Sequence, residues 1–306
     1  MNPKNPVENL PPVAAVNALL ALYNARRYAE AESGAWALLA NYPGFAFGWK
    51  LLGGILQSQG KDALTAFKKV AELTPTDPEA HYNLGVVLKG SGRLEDAVAS
   101  YRKAVALKAD YAEAHSNLGN TLNDLGRHKE AIASYRQALR IRPDSADAHN
   151  NLGTALKDQG QLEEAIASYR KATTFQPGLV LAHYNLGNAL NQHGQTQAAE
   201  ASYRKAIQLK PDFVDAHNNL GTVLKQQGRY DESMASYRKA IQLKPDYAEA
   251  HNNLGVVLKD LYRIDDAIAS YRTAIELKPG YAEAHNNLGA ALHSLGQTDA
   301  ALDSFI

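Results

Sequence analysis

The glycine of a recurring Asn-Leu-Gly triplet falls at positions 85, 119, 153, 187, 221, 255 and 289, and each step is thirty-four residues. A fixed period of this length means an array of one supersecondary unit. A single copy is too small to bury its own apolar face, so neighbours must stack, and chain length no longer sets the number of domains. Counting from Pro78 gives units 78–111, 112–145, 146–179, 180–213, 214–247 and 248–281, with a partial unit 282–306. Residues 46–77 form a unit two residues short, because GKDA at Gly60 stands where GRLEDA stands at Gly92. Residues 12–45 form a diverged first unit that keeps Ala31 and Pro43 in register. Residues 1–11, rich in Pro and Asn, read as a disordered or extended lead-in.

Each unit reads as two helices. In the unit beginning at Ala112, residues Ala114, Leu118 and Leu122 make the apolar face of the first helix, and Gly126 ends it. Ala131, Ile132, Tyr135, Ala138, Leu139 and Ile141 make the face of the second, which Pro143 stops. Small residues (Gly119, Ala131, Ala138) allow close helix approach, and Tyr135 fills the space between neighbours. Two positions break the pattern. Tyr262 replaces the turn glycine seen at Gly228 and Gly296, and because a Tyr is strained at positive φ, an altered turn is expected there. Ser233 replaces a core Ala, a mild change.

This pattern of Leu and Gly, a turn Gly, then small, aromatic and small residues and an exit Pro resembles the tetratricopeptide repeat (TPR) from about residue 12 to the end. The resemblance implies an all-α fold, a right-handed superhelical TPR solenoid of antiparallel helix pairs, with first helices on the concave face. Within that family, the runs AHNNLG and ASYRKAIQLKPDYAEA are similar to the superhelical TPR region of O-GlcNAc transferases and their bacterial relatives.

The Asn of the triplet is the residue that packing does not explain. Asn83, Asn117, Asn151, Asn185, Asn219, Asn253 and Asn287 sit on the polar face of the first helices, where an interior Asn costs roughly 0.5–0.7 kcal/mol against Ala. The position before it drifts through Tyr82, Ser116, Asn150, Tyr184, Asn218, Asn252 and Asn286 while the Asn holds. An amide can pair with both N–H and C=O of an extended backbone, and packed helices repeat at roughly 8–10 Å, near three residues of extended chain. The expected function is therefore a protein-protein interaction scaffold that binds an extended peptide through an Asn ladder, the role the resemblance also implies. The alternative for each Asn is a bond to the neighbouring repeat, or water. Groove selectivity is assigned to the acidic Glu113, Asp147, Asp215 and Glu249, with Glu79 and Glu283 in the same column and Leu181 interrupting it, and to Lys157 and Lys225, with Lys89 and Lys259. Ordinary solvated helix ends account equally well for these charges.

Composition narrows the rest. Lys plus Arg and Asp plus Glu are 32 each, a balance that argues against a nucleic-acid partner. There is no cysteine, so thiolate metal sites and disulfides are excluded, in keeping with a cytoplasmic protein. The apolar run VAAVNALLAL is too short to span a bilayer, and no signal peptide is read, so no membrane association is expected. The column His81, His115, His149, His183, His217, His251 and His285 is spaced by helix-packing distances, too far apart for two neighbours to share a metal with bonds of about 2.0–2.1 Å. Each of these histidines is expected to be packed with one polar partner. The Arg column Arg102, Arg136, Arg170, Arg204, Arg238 and Arg272 reads as a solvated, locally paired face. No catalytic constellation and no cofactor site are read. A co-chaperone clamp for C-terminal carboxylates is disfavoured, because the first helices begin with acids rather than Lys and Arg. The chain stops at DSFI, part-way through a second helix, so Phe305 and Ile306 are expected on an uncovered edge open to self-association. The resemblance implies that a glycosyltransferase domain could follow, which would make the chain the substrate-recognition region of an enzyme while itself inactive.

Overall fold

The structure is a computed structural model that describes residues 10–297 and 301. Seventeen helices are delimited among these residues, and no strand. The expectations for Phe305, Ile306 and the first nine residues lie outside the described residues. The chain divides into two compact units, Met1–Asp144 and Ser145–Ile306. The first holds α1 (Val13–Asn24), α2 (Tyr28–Asn41), α3 (Ala46–Ser58), α4 (Leu64–Leu73), α5 (Pro78–Gly90), α6 (Leu94–Leu107), α7 (Ala112–Asp124) and α8 (His128–Ile141). The second holds α9 (Ala146–Asp158), α10 (Leu162–Phe175), α11 (Val180–Gln192), α12 (Thr196–Leu209), α13 (Val214–Gln226), α14 (Tyr230–Leu243), α15 (Ala248–Asp260), α16 (Ile264–Leu277) and α17 (Ala282–Ser294).

Within each unit every helix packs on the next, so the units are solenoids of helix pairs. In the second unit α9, α11, α13 and α15 also touch the odd-numbered helix that follows, whereas no two even-numbered helices make a comparable contact among the described residues. The odd-numbered, first helices therefore line the inner side of that stack.

One wedge recurs in the core. Gly85, Gly119, Gly153, Gly187, Gly221 and Gly255 each lie against the ring of Tyr101, Tyr135, Tyr169, Tyr203, Tyr237 and Tyr271 respectively, and an added Cβ would stand 2.6 or 2.7 Å from a ring carbon. All six rings are buried. The triplet glycine is thus required by an aromatic side chain on the paired helix, rather than by backbone conformation.

First helices end in one motif. At Gly92 the N–H reaches the Lys89 carbonyl at 3.0 Å and the Arg93 N–H reaches the Leu88 carbonyl at 2.9 Å, a Schellman cap with φ of +75° at the glycine. The expected alteration at Tyr262 does not occur. Tyr262 adopts φ of +59°, its N–H bonds the Lys259 carbonyl at 2.9 Å, and the Arg263 N–H bonds the Leu258 carbonyl at 2.9 Å. The two cap bonds and the packing of α15 on α16 impose the left-handed conformation, and the ring, 90% exposed, escapes into solvent. Arg26 holds the same conformation, φ +57°, between α1 and α2. The strain at Tyr262 should be measurable. Tyr262→Gly is expected to raise stability by about 1 kcal/mol in urea unfolding, and an unchanged or lower midpoint would contradict the strain.

The two-residue deletion at Gly60 leaves that cap intact, with φ +69°, and shortens the second helix instead: α4 has 10 residues where α6 has 14. Ser233 is fully buried, and its Oγ donates to the Gly221 carbonyl at 2.7 Å, so the substitution for Ala is accommodated by a bond to the paired helix. No helix among the described residues is long and apolar enough to cross a membrane.

Candidate peptide-binding face

The triplet Asn side chains are all half-buried on the first helices. In the second unit their amide N–H groups reach back one repeat. Asn185 Nδ2 donates to Asn150 Oδ1 at 3.0 Å, Asn253 to Asn218 Oδ1 at 3.1 Å and Asn287 to Asn252 Oδ1 at 3.0 Å. Asn219 Nδ2 donates to the Tyr184 hydroxyl at 3.1 Å and to Asn188 Oδ1 at 3.0 Å. Asn151 Oδ1 accepts from Asn150 at 3.2 Å. In the first unit Asn117 Nδ2 donates to the Tyr82 hydroxyl at 3.1 Å. Asn83 has no such acceptor, because Lys50 occupies the register position and its ammonium pairs with Glu79 at 2.8 Å.

This gives a reason for the drift at the preceding position. Tyr82, Ser116, Asn150, Tyr184, Asn218, Asn252 and Asn286 differ in size and shape but all carry an oxygen. In the pairs above that oxygen is the acceptor for the next repeat's Asn. The signal was present as a restriction to acceptor-bearing side chains. The bond uses one N–H of Asn117, Asn185, Asn253 and Asn287, and their Oδ1 atoms have no partner among the described residues.

The selectivity residues separate. Glu113 pairs with Arg142 at 2.5 Å and Glu249 with Lys278 at 3.2 Å. A hydrogen bond from its own backbone N–H, then Arg142, holds the Glu113 carboxyl below the usual carboxylate range. At Glu249 burial pushes the pKa up, but its backbone N–H and Lys278 outweigh it and the result is lowered. Asp215 accepts from the Tyr247 hydroxyl at 2.9 Å, and Asp147 makes no ion pair among the described residues. Lys157 lies 3.6 Å from Asp158, while Lys225 makes no ion pair among the described residues. Lys244 and Lys278 lie 5.2 and 4.7 Å from the ring centres of Tyr247 and Tyr281, which open the next first helix, so these cations serve the repeat junction.

The histidines hold the inter-helix loop. His81, His183, His217, His251 and His285 place Nε2 at 2.8–3.0 Å from the carbonyl of the proline six residues earlier. A carbonyl only accepts, so Nε2 carries the proton. Trp49, which stands in this register, donates its Nε1–H to the Pro43 carbonyl at 2.9 Å. The Arg column is paired in part: Arg102 meets Glu130 at 2.6 Å and Arg204 meets Glu232 at 3.2 Å, whereas Arg170, Arg238 and Arg272 make no ion pair among the described residues.

Among solved structures, YrrB, described as a TPR protein with an unusual peptide-binding site, aligns with 64% of this chain and 97% of its own at 23% identity and TM-score 0.55. Pseudomonas aeruginosa pilF aligns with 68% and 94% at 24% identity and TM-score 0.59. MamA aligns with 54% and 97% at 27% identity and TM-score 0.51. No curated protein matches the sequence. The TPR repeat family matches residues 56–92, 89–126, 119–160, 153–194, 187–228, 221–261 and 263–296. With matched copies running through most of a stack of helix pairs wedged by Gly and Tyr, the chain belongs to the TPR repeat family.

Proposed function

We propose that the chain is a protein-interaction scaffold that holds an extended segment of a partner against the first helices, each unit contributing its own row of Asn side chains. The observation that carries this reading is the posture of Asn185, Asn253 and Asn287. One N–H of each is committed to the preceding repeat, which holds the amide still, and Oδ1 is left to accept from a peptide N–H. Prior immobilisation reduces the ordering cost that a flexible polar side chain would impose on binding. The repeat spacing, roughly three residues of extended chain, lets successive amides serve one strand-like segment. The similarity to YrrB, whose description names a peptide-binding site, agrees with this use. The cytoplasmic placement and the grouping into the repeat units counted from Pro78 belong to the same proposal.

The test uses a fluorescein-labelled peptide selected on the full chain from a random display library. Asn185→Ala with Asn253→Ala and Asn287→Ala is expected to weaken binding at least tenfold with helical circular dichroism retained. Tyr184→Phe removes an inter-repeat acceptor without touching these amides, and is expected to leave the affinity within about twofold. Equal losses in the two variants would show that the amides only strap repeats together.

A second reading rests on the runs AHNNLG and ASYRKAIQLKPDYAEA: the same face presents substrate to a protein glycosyltransferase activity of the intact gene product. Transfer of sugar from a nucleotide-sugar donor to a bound peptide by that product would support it, and absence of transfer would remove it.

A further inference from the structure

The acidic column of the first helices is interrupted once in the second unit, at Leu181. Its side chain is not withdrawn into the core: Leu181 is 56% exposed, at the first turn of α11. At helical spacing it shares the exposed face with Tyr184, Asn185 and Asn188. Tyr184 is half-buried, and its ring centre lies 4.8 Å from that of Phe213, so a small apolar step is built beside the Asn row.

The charges on either side of that step are not closed by cations as two others of the column are, and Glu283 likewise meets the Asn252 amide, at 3.3 Å, in place of a cation. Glu113 and Glu249 are each closed by a cation 29 residues later, Arg142 and Lys278. For Asp147 the same place is Gln176, which carries no charge, and Asp147 is exposed with no ion pair among the described residues. For Asp215 the place is Lys244, which lies over the Tyr247 ring, and the carboxylate is met by the Tyr247 hydroxyl at 2.9 Å instead of a cation. Two carboxylates without cations thus lie one repeat before and one repeat after an exposed Leu.

Resting on the reading of this face as a peptide site, we propose that the second unit selects extended segments in which an apolar side chain is flanked by basic residues. The apolar side chain meets Leu181 and Tyr184, and Lys or Arg residues meet Asp147 and Asp215. One repeat matches roughly three extended residues, so the pattern is basic-x-x-apolar-x-x-basic. A carboxylate here loses little hydration to a mobile ammonium or guanidinium, so charge sets orientation and encounter rate while the apolar contact sets discrimination.

The experiment measures fluorescence anisotropy of the full chain with three labelled peptides identical except at the central and flanking positions: Lys-x-x-Leu-x-x-Lys, Lys-x-x-Ser-x-x-Lys and Glu-x-x-Leu-x-x-Glu. The first is expected to bind at least tenfold more tightly than either other. Leu181→Asp is expected to remove its advantage over the Ser peptide, and Asn185→Ala with Asn253→Ala to weaken all three. Leu181 is exposed, so the variant keeps its fold, which circular dichroism checks. Binding that depends on the Asn residues yet ignores the central side chain or the flanking charges overturns this selectivity and leaves the backbone reading standing. Failure of all three peptides to bind overturns both.

Discussion

Tyr203→Ala is expected to destabilise the second unit by about 3–5 kcal/mol, the range for deleting a large buried aromatic side chain. Tyr203 is 1% exposed, its ring lies against Gly187, and its hydroxyl donates to Asn188 Oδ1 at 2.8 Å. The facing residue is a glycine, with no side chain to move into the ring's place. The void then lies between two helices whose packing is the repeat itself. Burial also pushes the phenol pKa above its ordinary value, so the hydroxyl stays a donor at every working pH. Tyr203→Phe separates the two contributions: it keeps the ring and loses one hydrogen bond, for about 1 kcal/mol. Urea unfolding followed by circular dichroism reads both variants. A loss for Tyr203→Ala no larger than that for Tyr203→Phe would show that the ring is not the wedge. Because stacked repeats are stabilised by nearest neighbours, amide exchange should quicken most in α11 and α12.

The second large effect concerns Glu200, whose register neighbours in the other second helices are Ile132, Ile166, Met234 and Ile268. It is 6% exposed and ion-paired with Arg204 on its own helix and with Arg229 Nη1 at 2.7 Å, in the turn before α14. Burial pushes the carboxyl pKa up, and the hydrogen bond from Arg229 together with the charges of Arg204 and Arg229 outweighs it, so the net shift is downward. Removing one cation leaves a buried carboxylate less compensated, whereas removing the carboxylate restores the apolar column. Arg229→Ala is therefore expected to cost about 1–3 kcal/mol, below the full price of breaking a buried pair because Arg204 remains and Arg229 is partly exposed. Glu200→Ile is expected to be neutral or stabilising by up to about 2 kcal/mol. The pH dependence follows from the lowered pKa. Stability from ionised Glu200 is present above its unfolded value of about 4.3 and is lost as pH falls through the folded value. The gap between Glu200→Ile and the parent should therefore widen as pH drops below about 4.3. Thermal unfolding at neutral and acidic pH reads all of this, and a destabilised Glu200→Ile would show that the ion pair contributes more than the Ile packing it displaces.

Much of the fold was legible because it is periodic. A side chain repeated at a thirty-four-residue step meets the same neighbours each time, so the Gly–Tyr pairing and the cap at Gly126 and its equivalents follow from spacing and size. Tyr262 was misjudged because local preference was weighed alone. An unfavourable φ of order 1 kcal/mol is outweighed by two cap bonds and by helix packing on both sides. The geometry of the candidate site was legible in part. The Asn row and the acidic column could be placed on one face, but partners one repeat away could not be read, because they depend on how far each first helix is offset from the next.

The sequence by itself determined the repeat, the helix pairs, the wedge and the polar face, since these depend on contacts within about one period. Only the tertiary structure decided what that face holds in place. Asn185, Asn253 and Asn287 each spend one N–H on the preceding repeat, Glu113 and Glu249 are closed by cations, and Asp147 and Leu181 are not covered. The physical reason is reach: a side-chain hydrogen bond needs its atoms within about 3 Å, and only the stacked helices set distances at that precision.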